Sequence, residues 1–280
     1  MQRRRFVAGT CALLAAGLPG LVRAANEPPL SLGIMPFNSP LTLIKTHQPL
    51  REHLRASLGR EVDLFTSSDY FTFVGDIGEG RFDILIAAPH FAIPAIERGY
   101  VPLVRYQADL EFIIIVPTGN HWQAADLRGR RLGVPNRLTI AAIAGVQWMN
   151  DQGLKLGIDY SLREYPTHGA VVAALAVGDL DAGVVSRTAL RQTPEDVQRR
   201  VSVMAQVARV PHLLTLAHRR LGKRLTERLR SALLGFGQTA AGAAFFADTG
   251  YQGYVVAGPN DLLHLRPYWE TARQLMGWRH

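Results

Sequence analysis

Three short turns in this 280-residue chain carry polar residues that suit the binding of a small anion. They are Ser67-Ser68-Asp69-Tyr70, Asn136-Arg137-Leu138-Thr139 and Tyr165-Pro166-Thr167-His168, and each lies where a strand-like run passes into a helical pattern. The N–H groups and the dipole at the start of a helix attract negative charge. Any one of these turns by itself is most simply an ordinary helix cap. Their repetition favours one shared site for a small anionic solute.

Five side chains of these turns are candidate ligand contacts: Tyr70, His168, Ser68, Thr139 and Thr167. Arg137 is a sixth candidate, because its fixed positive charge and planar donors suit a carboxylate or another oxyanion. A different interpretation remains open for each of the larger side chains. Tyr70 would then be a core aromatic residue, His168 a surface cap and Arg137 a solvated side chain.

No catalytic or metal-binding pattern accompanies these turns. The chain has no nucleophile elbow and no phosphate-binding loop, and the pairs His47/His53 and His212/His218 are not spaced for one helical turn. The glycine-rich stretch 75–80 ends a helical pattern rather than following a strand, so it does not predict a dinucleotide site. We therefore expect a binding protein without a cofactor or metal, and not an enzyme.

The elements that position the turns follow an alternating order of strands and helices. The stretches Gly80–Ile86 and Gly178–Val185 are alike, since each ends a helix with Gly and leads through Asp into an apolar strand. They lie about a hundred residues apart, so each half of the chain contains the same βαβ unit. We predict an α/β fold of two lobes, with mostly parallel sheets covered by helices on both faces.

The same pattern predicts the limits of the lobes. Residues 25–109 and 209–280 form the first lobe, and residues 110–208 form the second. The chain would cross between the lobes at Gln107–Glu111 and at Val207–Pro211, and two adjacent crossovers make a hinge. After Leu225 we expect only helices, which return to the first lobe.

Residues 1–24 have the pattern of a cleaved signal peptide. Arg3-Arg4-Arg5 precede an apolar stretch that ends before Ala24, and the pattern fits either general secretion or twin-arginine export. The one cysteine, Cys11, lies within it, so the mature chain has no disulfide. Part of the net charge of +8 also belongs to this segment, and the remaining arginines are expected on solvated helix faces. We predict a periplasmic monomer that binds no nucleic acid.

Several motifs together resemble one protein family, the phosphate, phosphite and phosphonate-binding components of ABC importers. They are Leu32-Gly33-Ile34-Met35-Pro36 with Ser39-Pro40, Ser68-Asp69-Tyr70, Gly80–Ile84 leading to Ala88-Pro89-His90, His168 followed by Ala173–Ala182, Val210-Pro211 and Gly250-Tyr251. The resemblance spans nearly the whole chain after residue 24. It implies the type II periplasmic-binding fold, with a ligand enclosed between two hinged lobes and a membrane permease as partner.

The resemblance also implies ligand contacts at particular residues. A tyrosine matching Tyr70 and a histidine matching His168 hold the phosphonate group in that family, and the motif places Pro89 and His90 beside them. A Ser-Thr-Ser run of the family matches Arg137-Leu138-Thr139 here, so only one hydroxyl remains. Thr188 matches an acidic residue that recognises a ligand amine in some members. The family also has an aspartate after the proline that matches Pro211, whereas this chain has His212 and two leucines there.

These departures leave two interpretations of the pocket open. In one, Arg137 replaces the missing hydroxyl donors and selects a carboxylate or another anion. In the other, Arg137 points outward and the pocket is more apolar, lined by Phe71, Phe91 and Tyr165. The chemical identity of the anion is open in both.

Two functions fit these residues. The first is capture of a small, phosphonate-like or other oxyanionic solute for an ABC importer. The second is ligand sensing, in which closure of the lobes signals to a membrane histidine kinase or diguanylate cyclase. An enzyme is the third possibility, but only His168 and Tyr70 could act in catalysis.

Overall fold

The computed structural model describes residues 27–278 and contains two β-sheets with helices around them. The predicted signal peptide, residues 1–24, lies outside the described residues. The strands are β1 Leu30–Ile34, β2 Val62–Thr66, β3 Ile84–Ala87, β4 Tyr100–Tyr106, β5 Asp109–Pro117, β6 Arg131–Val134, β7 Ser161–Glu164, β8 Ala182–Ser186, β9 Val201–Pro211, β10 Leu214–His218 and β11 Tyr254–Val256. The α-helices are α1 Pro40–Leu58, α2 Tyr70–Gly78, α3 Ala92–Glu97, α4 Ile140–Asp151, α5 His168–Ala176, α6 Arg187–Arg191, α7 Glu195–Gln198, α8 Gly222–Phe236, α9 Ala240–Thr249 and α10 Arg266–Leu275.

The strands form one sheet of six and one sheet of five. The six-stranded sheet has the order β11-β4-β10-β3-β1-β2, and the five-stranded sheet has the order β7-β6-β8-β5-β9. In the first sheet β1 lies parallel to β2 and β3, and in the second β6 lies parallel to β7 and β8. The remaining pairs are antiparallel, so the sheets are mixed rather than mostly parallel as predicted.

The antiparallel strands arise where the chain passes between the sheets. Strands β5 and β9 pair along their whole length, from Asp109 opposite Pro211 to Pro117 opposite Val201. The chain enters the second sheet through β5, directly after β4, and leaves it through β9, directly before β10. Two neighbouring strands therefore make the connection, at the positions where the sequence predicts the crossovers. The limits of the lobes themselves stay a prediction.

The prediction of helices alone after Leu225 is wrong. Strand β11 follows α9 and pairs with β4, and the unpredicted β10 lies buried between β3 and β4. Strand β9 continues to Pro211, so the predicted crossover segment Val207–Pro211 is itself part of a strand. The missed strands have three and five residues, which is too short for an alternating pattern to stand out from a helical one. Their partners, distant in sequence, decide their conformation.

Helix α1 follows its local signals closely. The Ser39 side chain accepts a hydrogen bond from the Thr42 N–H, Pro40 occupies the first turn, and Gly59 ends the helix at a φ of 62°. Pro49 lies inside the helix, which continues to Leu58 rather than splitting there. Leu43, Leu50, Leu54 and Leu58 are buried on the inner face, and α8 and α9 pack against this helix.

The two aspartates of the repeated motif perform the same task in each sheet. The Asp83 carboxylate accepts hydrogen bonds from the N–H and hydroxyl of Ser31 at 3.0 Å each, and the Asp83 N–H donates to the Ser31 carbonyl. The Asp181 carboxylate accepts from the Arg131 N–H at 2.8 Å, and the Asp181 N–H donates to the Arg131 carbonyl. Each aspartate thus ties the start of its own strand to the neighbouring strand.

We expect Asp83→Asn and Asp181→Asn each to lower the free energy of unfolding by about 1–3 kcal/mol, because each loses charge-assisted hydrogen bonds. Urea denaturation measures this difference. Asp63→Asn, on the exposed edge of β2, is the matched control and should leave stability within about 0.5 kcal/mol of the unmodified protein. Equal losses in all three variants would contradict the assigned role.

Candidate functional site

A cavity of about 50 Å³ lies between the two sheets, at the starts of helices α2, α4, α5 and α6. One buried water needs about 10–15 Å³ of such space, so the cavity admits a solute of a few heavy atoms. Residues that directly follow β1 and β3, residues of β5, and the two residues after Pro211 complete its wall. The polar residues that line it include Tyr70, His90, Thr139, His168, Thr188 and His212.

Five of the sequence-predicted site residues meet at this cavity. Tyr70 is the first residue of α2, Thr139 caps α4, and His168 is the first residue of α5. His90 follows β3, and Thr188 lies in the first turn of α6. The three turns of the sequence therefore converge as helix starts around one space. Ligand binding by these residues stays a prediction.

Four predicted contacts do not line the cavity: Ser68, Pro89, Arg137 and Thr167. Ser68 is exposed, and its hydroxyl donates to the Asp69 carboxylate at 2.8 Å. Thr167 is used as a helix cap, since its hydroxyl oxygen accepts from the Ala170 N–H at 3.1 Å. Pro89 is buried in the turn before α3 without facing the cavity. Ser68 and Thr167 thus use their hydroxyls in local hydrogen bonds at helix starts.

Arg137 points away from the cavity because Glu164 binds it. The Arg137 N–H donates to Glu164 Oε2 at 3.0 Å, and the guanidinium donates to Glu164 Oε1, from Nε at 2.7 Å. This pairing raises the pKa of Arg137 above its ordinary value. The pair lies at a separate surface groove between α4 and α10. Of the two interpretations of the pocket, this geometry does not support the one in which Arg137 selects the anion.

The other interpretation, in which Arg137 points outward and the pocket is more apolar, describes the cavity better. The apolar side chains that line the cavity are not the predicted ones, however. Phe71 is 54% exposed on α2, while Phe91 is buried outside the cavity wall and stacks on His90 at 3.9 Å between ring centroids. Tyr165 also lies outside the wall. The apolar residues that do line the cavity include Met35, Phe37, Leu110, Phe112, Ile140 and Leu213.

No Asp, Glu, Lys or Arg side chain of the described residues lines the cavity. The polar side-chain groups of the cavity are hydroxyls, imidazoles and one amide, and none of these groups carries a permanent charge. An anion in this space would be held by neutral donors and helix dipoles and not by an opposite charge. A ligand cation would have no carboxylate to bind.

Backbone N–H groups fix the tautomers of two cavity histidines. His168 Nδ1 accepts from the Ser186 N–H at 3.1 Å, and His212 Nδ1 accepts from the Leu213 N–H at 2.9 Å. In a neutral ring the proton is then on Nε2, which makes each Nε2–H a donor. Burial lowers the pKa of His168 to about 4, and burial together with the charge of Arg105 lowers the pKa of His212 to about 3. Both rings are neutral at neutral pH.

The Tyr70 hydroxyl is a third buried donor at the cavity. Burial raises the pKa of Tyr70 above its ordinary value, so the hydroxyl keeps its proton. This hydroxyl and His212 Nε2 have no hydrogen-bond partner in the described part of the protein. Buried polar groups without a partner are costly and are often found at functional sites.

His212 is a polar cavity residue that the sequence did not predict as a ligand contact. It follows Pro211 at the end of the crossover, where the family resemblance had already placed a missing aspartate. The rings of Tyr106 and Tyr251 pack on it, with centroids at 5.3 and 4.8 Å. Ser186, Gln192 and Tyr251 also line the cavity without having been predicted.

Within residues 27–278, no group of three or more His, Cys, Asp or Glu side chains could hold a metal ion. The same residues include no helix that is long and apolar enough to cross a membrane.

Comparison with known proteins identifies a matching protein family and several solved structures with a similar fold. The model of the family "ABC transporter, phosphonate, periplasmic substrate-binding protein" matches residues 32–262. A binding-protein component of an ABC phosphonate transporter from Pseudomonas aeruginosa has a TM-score of 0.78 and 14% identity, over 89% of this chain and 88% of its own. PhnD1 from Prochlorococcus marinus, solved in complex with methylphosphonate, has a TM-score of 0.76 and 14% identity, over 88% of this chain and 97% of its own.

A protein from Xanthomonas citri, solved with a bound chloride ion, is also similar in structure. It has a TM-score of 0.72 and 16% identity, over 89% of this chain and 98% of its own. At these identities the likeness concerns the fold alone. It confirms the two-lobed α/β architecture of type II periplasmic binding proteins that the sequence predicts.

Proposed function

Because this chain belongs to the family of periplasmic substrate-binding proteins of phosphonate ABC transporters, we propose that it captures a small phosphonate anion in the cavity between its sheets. The observation that carries this proposal is the convergence of Tyr70 and His168, at two helix starts, on one enclosed space. The structural similarity to a protein solved with methylphosphonate supports the same class of ligand. The family describes a transport component, so the sensing alternative is not favoured.

Neutral donors and helix starts hold the anion in this proposal. The Tyr70 hydroxyl and the Nε2–H groups of His168 and His212 donate to phosphonate oxygens. The first N–H groups of α4 and α5 add the positive ends of two helix dipoles. Such donors bind without the reorganisation that flexible charged side chains require.

The apolar part of the wall holds the group attached to phosphorus. Met35, Phe37, Leu110 and Phe112 supply a surface that suits a methyl or another short alkyl group. The volume of about 50 Å³ limits that group to a few carbon atoms.

Closure and delivery follow from the two adjacent crossovers. We propose that residues 25–109 with 209–280, and residues 110–208, move as two lobes about the paired strands β5 and β9. His90 in one lobe donates to the Leu138 carbonyl in the other at 2.9 Å, which fastens the closed form over the cavity. The closed monomer would present both lobes to a membrane permease. Export through the signal peptide at residues 1–24 would bring it to the periplasm.

The test is isothermal titration calorimetry on the predicted mature chain, residues 25–280. We expect methylphosphonate to bind with a dissociation constant in the micromolar range or tighter, as about −8 kcal/mol of binding free energy provides. Phosphate, sulfate and short carboxylates serve as comparison ligands. Absence of binding for every phosphonate, or clear preference for a carboxylate, would contradict the proposal.

A ligand amine is expected to be rejected. We predict that 2-aminoethylphosphonate binds at least about 100-fold more weakly than n-propylphosphonate, because a buried ammonium group without a carboxylate is strongly unfavourable. The two ligands have the same chain length, so their comparison isolates the charge. The position of the family's amine-recognising acid is Thr188 here, and Thr188 carries no charge. Equal affinity for both ligands, measured by calorimetry, would disprove this prediction.

A further inference from the structure

His90 brings a hydrogen-bond acceptor to a cavity that is otherwise rich in donors. Its Nε2 lies 2.9 Å from the Leu138 carbonyl oxygen, which can only accept, so the proton of the neutral ring is on Nε2. His90 Nδ1 then keeps a bare lone pair. This side chain is fully buried, lines the cavity, and has no partner for Nδ1 within residues 27–278.

The other buried groups of the cavity have the opposite character. His168 and His212 each direct Nδ1 to a backbone N–H and keep the proton on Nε2. The Tyr70 hydroxyl has a proton to donate and no partner in the described part of the chain. The Thr139 hydroxyl is already committed, since it donates to the Asn136 carbonyl at 2.7 Å and accepts from the Ala142 N–H. Among the three imidazoles and the Tyr70 hydroxyl, three donors therefore face one acceptor.

This set matches one protonation state of a phosphonate. A fully ionised phosphonate has three acceptor oxygens and no proton, so one oxygen would meet the His90 lone pair. The singly protonated form has two acceptor oxygens and one P–OH donor, and carries one negative charge instead of two. In a cavity without a cationic side chain, the lower charge is also cheaper to desolvate.

Resting on the function proposed above, we propose that the cavity selects the monoanionic phosphonate, R–PO₂(OH)⁻, whose hydroxyl donates to His90 Nδ1. The two remaining oxygens accept from Tyr70, His168 and His212. His90 is held in place by the Leu138 carbonyl of the other lobe, so the acceptor takes its position as the cavity closes. The protonation state of the ligand thereby becomes part of its recognition.

The selection of one protonation state can be tested near neutral pH, because the ionisable groups that line the cavity titrate well outside that range. Burial lowers the pKa of His90 to about 4, that of His168 to about 4 and that of His212 to about 3. The pKa values of Tyr70 and Tyr251 are raised above the ordinary value by burial. Arg105, whose charge also lowers the pKa of His212, does not line the cavity and is paired with Asp261. Near neutral pH, these cavity residues therefore keep their protonation states while the phosphonate changes its own.

The experiment is calorimetric titration with methylphosphonate and with methanesulfonate between about pH 6 and pH 9, across the second ionisation of the phosphonate. Methanesulfonate has the same shape and single charge but no hydroxyl at any of these pH values. We expect methylphosphonate affinity to fall about tenfold per pH unit above its second pKa. We expect methanesulfonate affinity to be independent of pH and, at the acidic end, about 10- to 100-fold weaker.

The variant His90→Phe removes the acceptor and keeps an aromatic ring against Phe91. It also loses the bond to Leu138, which weakens both ligands alike, so the measured quantity is the ratio of their affinities. We expect the preference for methylphosphonate over methanesulfonate to disappear. His47→Phe is the control, because His47 is equally buried, bonds the Leu43 carbonyl at 2.8 Å, and does not line the cavity. Its ratio should stay unchanged.

Each outcome has a definite consequence. If methylphosphonate binds more tightly as the dianion, or if methanesulfonate binds as tightly as methylphosphonate at the acidic end of the range, the inference is wrong while the proposed function stands. If no phosphonate binds at any pH, the proposed function itself fails. Should His90→Phe not fold, the two-ligand titration of the unmodified protein decides the question alone.

Discussion

Tyr70→Phe is expected to weaken methylphosphonate binding by about 10- to 100-fold while leaving the protein at least as stable as before. The hydroxyl is fully buried at the cavity and has no hydrogen-bond partner in the described part of the chain. Its removal takes away a donor to the anion. It also removes a buried polar group that has no partner within residues 27–278 and therefore lowers stability. Affinity and stability should therefore change in opposite directions, as is common for residues kept for function.

Tyr100→Phe is the matched control for this variant. The Tyr100 hydroxyl donates to the Phe82 carbonyl at 2.8 Å and lies away from the cavity. Its loss should lower the free energy of unfolding by about 1 kcal/mol and leave affinity unchanged. Calorimetry and urea denaturation on both variants give the two readouts. A Tyr70→Phe variant that binds like the unmodified protein would show that the hydroxyl does not contact the ligand.

His168→Ala extends the same prediction to the second lobe. It removes the Nε2–H donor and leaves the Ser186 N–H without its acceptor, so affinity should fall by about 100-fold and stability by about 1–3 kcal/mol. Ser186 still caps α6, which preserves the local fold. Unchanged binding in this variant would contradict the assignment of His168.

The second large effect is a loss of stability in mild acid. We expect the free energy of unfolding to fall by several kcal/mol between about pH 7 and pH 5, because four buried histidines are neutral in the folded protein. Burial lowers the pKa of His47, His90 and His168 to about 4 and that of His212 to about 3, from an ordinary value of 6.5. Below pH 6.5 the unfolded chain takes up protons that the folded protein cannot accept.

The direction and size follow from proton linkage. A lowered histidine pKa leaves stability intact above the ordinary value of 6.5 and removes it as the pH falls toward the folded-state value. At about pH 5 each such histidine costs on the order of 2 kcal/mol. Four together reach the order of 8 kcal/mol, which is comparable to the whole stability of many domains.

Urea denaturation at about pH 7.5 and pH 5 measures this effect, with far-ultraviolet circular dichroism as the signal. His47→Phe should reduce the pH dependence by about a quarter, because it removes one of the four titrating groups. His121→Phe, at an exposed position, is the control substitution and should leave the free energy of unfolding at about pH 7.5 within about 0.5 kcal/mol of the unmodified protein. Equal stability at both pH values would show that the buried histidines are not held neutral.

The sequence predicts those elements whose boundaries carry their own local signals. Ser39 caps the start of helix α1 and Gly59 caps its end, and both residue types indicate a helix boundary from the local sequence alone. The repeated motif Gly178–Val185 predicts an apolar strand after Asp181, and β8, Ala182–Ser186, is found there. Strands β10 and β11 are short and depend on β3 and β4 for their conformation, which is why no local pattern identifies them.

Part of the cavity could be predicted for a similar reason. Tyr70, Thr139 and His168 start helices that follow strands, and the strand ends of an α/β sheet meet at one edge. The direction of the Arg137 side chain could not be predicted, because it is set by an ion pair with Glu164 of β7, 27 residues later in the chain. His212 directly follows the crossover strand β9 and does not lie at a helix start, so the pattern that identifies the other residues does not reach it. The neutral state of the histidines depends on burial, which no spacing of residues reveals.

A crystal structure of residues 25–280 with methylphosphonate tests the central claim most directly. We expect the phosphonate group between the two sheets, with its oxygens within about 3 Å of the Tyr70 hydroxyl and His168 Nε2. The methyl group should lie against the apolar wall near Phe37 and Phe112. A phosphonate bound elsewhere on the protein, with no contact to either Tyr70 or His168, would contradict the account.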